Sequence, residues 1–69
     1  MITEGDVVRF KIGLIGRASK KAIPAGTEGY VVDETDGTLT IDFQVDDAPD
    51  YTIAEQEQVE FVRKGQPIS

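Results

Sequence analysis

Two clusters of side chains in this chain could do chemistry. Arg17, Lys20 and Lys21 fall within the stretch "GLIGRASKKA", residues 13–22. Three cations so close on a glycine-containing stretch could receive an anion or an acidic partner. Asp42, Asp46, Asp47 and Asp50 lie close together further on. Such carboxylates are the donors a hard cation takes, and a pair of them could share acid–base work.

Neither cluster fits a defined motif. A phosphate-binding Walker loop needs four residues between its glycines and then Gly-Lys-Ser/Thr. Two residues separate Gly13 from Gly16, and no Gly-Lys pair follows them. A calcium loop of the EF-hand type needs acids at alternate positions around a central glycine, which 42–50 lacks. The patterns assign no catalytic residue, no cofactor-binding residue and no metal ligand. Arg17, Lys20 and Lys21 stand as a candidate anion or partner contact.

Composition narrows the chemistry further. The chain has 69 residues, no cysteine and no histidine. That removes disulfides, thiolate nucleophiles, and the side chain used most often for metal binding and for proton transfer near neutral pH. Thirteen acidic against seven basic side chains give a net charge of −6. That field repels nucleic-acid phosphates and anionic lipid heads. The sequence shows neither a basic-then-apolar leader nor an apolar run of membrane-spanning length. The expected setting is the cytoplasm, with no membrane partner.

The elements that must position these residues follow from period and turn chemistry. Residues 7–12, "VVRFKI", alternate with Val8, Phe10 and Ile12 on one face, as a half-buried strand does. Residues 13–22 have no clean period and read as a long, exposed and mobile loop. Pro24 can open a type II turn that puts Gly26 at the position needing positive φ. Gly29 falls inside the strand that follows, where glycine marks a bulge or a close backbone approach. Asp36-Gly37 between two β-rich runs predicts a two-residue hairpin. Leu39, Ile41 and Phe43 alternate after it, and "QVDDAPD", 44–50, reads as an acidic loop. "YTI", 51–53, is a short strand, "AEQEQ", 54–58, a single helical turn, and "VEFV", 59–62, the last strand. Residues 63–69 read as a flexible tail. Phase predicts a core of Val8, Phe10, Val31, Ile41, Phe43, Ile53, Val59 and Phe61.

Five short antiparallel strands with one helical turn before the last suit a small all-β barrel. "GDVVRF", "IPAGTEGYVV", the "DG" hairpin, "TIDF" and "YTIAEQEQVEFV" together resemble the SH3-like small-barrel superfamily over residues 4–62. Similar patterns occur in photosystem I subunit IV, in the variable chain of ferredoxin:thioredoxin reductase, and in KOW-type modules. The resemblance implies a five-stranded SH3-like barrel spanning 1–62. It implies no catalytic residue, because such motifs mark a fold that carries many functions.

Contact surfaces are the remaining expectation. "YVV", 30–32, is apolar on both strand faces, and a small barrel has one interior. Tyr30 or Val32, with Val7 beside them, is the expected interface with a partner protein or a second copy. Three functional readings result. The first is a non-enzymatic interaction module. The second is an anion or nucleic-acid binder through Arg17, Lys20 and Lys21. The third is a small oligomeric enzyme with its site at a subunit interface.

Overall fold

Alternating apolar residues form the strands, and turn residues cut them to length. The computed structural model describes Met1–Gly65. Its strands are β1 (Asp6–Phe10), β2 (Leu14–Ile15), β3 (Ala22–Ile23), β4 (Glu28–Thr35), β5 (Thr38–Val45), β6 (Ala48–Glu55) and β7 (Val59–Lys64). A 3-10 turn, Gln56–Gln58, connects β6 to β7. Five strands form one antiparallel sheet in the order β6-β5-β4-β1-β7, and β2 pairs with β3 in a separate two-stranded sheet. The chain is therefore all-β and antiparallel, and no hydrogen-bonded ladder joins β6 to β7 among the described residues. No helix among these residues is long and apolar enough to cross a membrane.

The turns follow local chemistry. Asp36 and Gly37 have φ of 52° and 86°, the double left-handed geometry of a tight hairpin. Gly26 has φ of 94°, as the proline-led turn requires. Gly29 marks a close approach. A Cβ there would stand 2.5 Å from Ile41 Cγ2 and 2.9 Å from the Asp42 carbonyl oxygen. The bulge lies three residues on, where the β4–β5 register shifts between Val31 and Asp33 and leaves Val32 unpaired. A second bulge interrupts β1–β7, where Val7 pairs with Arg63 but Val8 with Phe61. Bulges coil a sheet around its core.

That core takes Val8, Phe10, Val31, Ile41, Phe43 and Val59, as phase predicts, and adds Ile2, Ile23, Leu39 and Ala54. Phe10 and Phe43 meet edge to face, 5.7 Å apart at 85°. Such a pair adds about 1 kcal/mol beyond its burial.

Several expectations are corrected. β1 ends at Phe10, and Ile12 beyond it is exposed. The loop 13–22 contains the β2–β3 hairpin. The acidic loop 44–50 is a hairpin, in which β5 and β6 pair through to Val45↔Ala48. Asp46 and Asp47 turn it with φ of 52° and 64°. Pro49 is tolerated because β6 is an edge strand, which has one side free of ladder bonds.

Ile53 faces out, 40% exposed, because β6 turns Asp50, Thr52 and Ala54 inward. Phe61 lies opposite buried Val8 but is 52% exposed, since among the described residues no strand pairs with the far side of β7. β7 also continues to Lys64, past the expected barrel boundary at 62. Its end is tied by an ion pair from Lys64 to buried Asp6, at 2.7 Å. The rest of the expected tail, 66–69, lies outside the described residues.

Candidate functional site

The β2–β3 hairpin presents the basic residues, and a set of polar contacts fixes it to the edge of β6. Within it, Gly16 N–H donates to the Lys21 carbonyl at 2.9 Å and Lys20 N–H to the Gly16 carbonyl at 3.0 Å. Lys20 closes the loop with φ of 65°, a cost that a non-glycine residue bears only in a well-held turn.

Asp50 is the principal anchor. Its carboxylate is buried and accepts from Ala18 N–H at 2.9 Å, Ser19 N–H at 3.3 Å, Tyr51 N–H at 2.7 Å and the Ser19 hydroxyl. The Ser19 hydroxyl, opposed by burial and reinforced by those amides, holds the Asp50 carboxyl below the usual carboxylate range, at about 2. Two further bonds complete the dock. Arg17 N–H donates to the Tyr51 carbonyl at 2.8 Å, and the Thr52 hydroxyl to the Ile15 carbonyl at 3.0 Å. Gly16 belongs to the same fit, because a Cβ there would collide with the Asp50 carboxylate.

These contacts seal much of the β6 edge. Tyr51 has both backbone groups occupied, Pro49 has no N–H, and Glu55 N–H donates to Gln58 Oε1 at 2.7 Å. Strand addition at this edge is thereby blunted, and what the region offers a partner is mainly side chains.

Those side chains line a groove of about 330 Å³ between the hairpin and β6. Leu14, Ile15, Thr52 and Ile53 line it together with Arg17 and Lys20. Ile15 is 56% exposed. Among the described residues no carboxylate lies within ion-pair distance of Arg17 or Lys20, whereas Arg9, Lys21, Arg63 and Lys64 all have acidic partners. An apolar trough with two unpaired cations can take an aliphatic group carrying a negative charge.

The expected basic cluster thus divides. Arg17 and Lys20 share the groove, while Lys21 pairs with Asp46 at 3.6 Å and lines a separate hollow with Pro24 and Gln44. The four aspartates disperse. Asp42 faces out in mid-strand, Asp46 and Asp47 form a turn, and Asp50 anchors the hairpin. Among the described residues no three acidic side chains gather closely enough to hold a metal ion.

The expected interface residues lie on the same outer face. Register aligns Val7, Tyr30, Asp42 and Tyr51 in one row across four strands. Val7 and Tyr30 are half-buried, and Val32 is exposed. The Tyr30 ring packs on Gly65, where a Cβ would stand 2.6 Å from its Cε2. Sequence reasoning missed Ile15, Ser19 and Ile53 as parts of a site. The alternation of Tyr51 and Ile53 against Asp50, Thr52 and Ala54 carries the signal for Ile53, once Ala54 is read as the small inward residue. Comparison with protein-family models, curated proteins and solved structures finds no match to this chain.

Proposed function

We propose that the chain is an SH3-like barrel that serves as a non-catalytic protein-interaction module. Support for the barrel reading comes from the strand order, in which the first strand lies between the second long strand and the last, and from two bulges that bend the sheet. The interaction reading rests on one observation. Ile15 and Ile53, both exposed, line one groove beside two unpaired cations, with exposed Tyr51 two residues from Ile53 on the same strand. An exposed apolar patch with a polar margin marks a contact site. The partner is another protein or a second copy, and the setting is the cytoplasm.

Affinity capture with the parent chain and with Ile53→Asp tests this reading, alongside sedimentation equilibrium from micromolar to millimolar concentration. The expected result is a partner, or a self-association step, present with the parent and lost in a variant that melts at the parent temperature. A monomer throughout, with capture indifferent to Ile53, overturns it.

A second reading has its own support. Arg17 and Lys20 are free to hold an anion, as an anion or nucleic-acid binder needs. Nucleic-acid binding would weaken steeply with added salt and would not depend on Ile53.

A further inference from the structure

The geometry points to a partner of definite chemistry for the groove: an extended protein segment whose aliphatic side chains are flanked by Asp or Glu. This inference rests on the interaction-module reading and goes beyond it by naming what is recognised. The walls supplied by Leu14, Ile15 and Ile53 are aliphatic and suit Leu, Ile, Val or Met side chains. At about 330 Å³ the groove lies at the small end of ligand sites and holds a few side chains rather than a folded domain. Arg17 and Lys20 line it without acidic partners among the described residues, in a chain of net charge −6, so the local sign is opposite to that of the body. A carboxylate there gains two cations, whereas a cationic segment meets repulsion at the groove and has no apolar advantage elsewhere on it.

Other occupants fit less well. Bases of a nucleic acid need aromatic faces to stack on, and the groove lining contains none. A long polyphosphate would also meet the acidic body of the chain. Strand addition is blunted because Pro49, Asp50, Arg17 and Gln58 occupy most of the β6 edge. Recognition therefore proceeds through side chains, and the docked hairpin supplies one wall of the groove in advance. A preformed wall lowers the ordering cost of binding.

The test is selection of a displayed library of random octapeptides on the immobilised full chain, followed by fluorescence anisotropy with the enriched peptide. The expected enrichment is for Asp or Glu beside Leu, Ile, Val or Met. Arg17→Glu combined with Lys20→Glu should weaken that peptide at least about tenfold, as should Ile53→Asp, with melting temperatures unchanged. Lys20→Gly removes the same charge and relieves the turn's positive φ, and it should also weaken binding. Ile15→Ser supplies a second disruption of the apolar lining should Ile53→Asp melt low.

Enrichment of basic or proline-rich peptides overturns the inference, as does no enrichment at all. So does an acidic peptide that binds the double charge reversal as tightly as the parent, or a thymidine oligonucleotide that displaces it. If protein capture is lost with Ile53→Asp but survives the double charge reversal, the module reading stands and the acidic-partner inference fails. If capture survives both variants, both fail.

Discussion

Asp50 shows how much one buried carboxylate can organise. It joins β6 to a hairpin some thirty residues earlier in the chain through two hairpin amides and a hydroxyl. Its folded-state pKa of about 2 lies below the ordinary 3.8. The stabilisation is therefore present above pH about 4 and is lost as pH falls through the folded value near 2. Amide exchange at Ala18 and Ser19, corrected for its intrinsic pH dependence, should accelerate across that window before the core strands open. Asp50→Ala should produce the same local opening at neutral pH, with exchange at these amides about tenfold faster or more. Unchanged protection would show that the hairpin is held by the Thr52 and Arg17 contacts alone. The inward Thr52, satisfied by the Ile15 carbonyl, also accounts for the outward turn of Ile53, which hydrophobic phase alone assigns to the core. A polar residue that turns inward needs a partner, and that partner lies on a distant segment that the local alternation does not show.

At the scale of elements, the two tight hairpins were not equally legible. Asp36-Gly37 carries the residue pair that a double left-handed turn prefers, so the turn could be placed from sequence. Asp46-Asp47 adopts the same geometry without a glycine, and Pro49 follows within the strand, so the segment read as a loop. The cost of that geometry suggests a measurement. Asp47, at φ of 64°, should be improved by Asp47→Gly, with a gain of about 0.5–1 kcal/mol in denaturant unfolding. A loss instead would mean that the Asp47 side chain contributes more than its backbone strain costs. The basic stretch was legible as charge, but its division was not. Arg17 and Lys20 separate from Lys21 because the turn between Gly16 and Lys21 sends Lys21 toward Asp46 and the others toward Ile53.

The whole molecule has little stability to spare. A domain of this size has one small core and, lacking cysteine, no covalent staple. Phe43 is buried in that core and meets the Phe10 ring edge to face. Phe43→Ala should cost roughly 3–5 kcal/mol, which is comparable with the entire stability expected. The variant should be largely unfolded by circular dichroism at room temperature. A cooperative melt near the parent temperature would show that the phase assigned to β5 is not the one that matters. Phe61→Ser, by contrast, should leave stability within about 1 kcal/mol, since that ring is already half in water.

The pairing pattern also sets a timetable. β4, β5 and β6 form a meander joined by two-residue turns, so their ladders close between near neighbours in the chain. β1 reaches β4 across a loop of intermediate length, but its ladder with β7 draws on the opposite end of the sequence. Closing the longer loop costs more entropy before any contact rewards it. The meander is therefore the expected nucleus, and the β1–β7 ladder the last to form. Stopped-flow folding of Ile41→Val should give a φ-value of about 0.5 or above, and Val59→Ala one near zero. The reverse order would place the rate-limiting step at the joining of the chain's two ends. On the expected timetable, nascent chains hold β1 against the meander with its outer edge uncovered until β7 docks. That interval, rather than the finished fold, is when this protein is most open to pairing with a wrong strand.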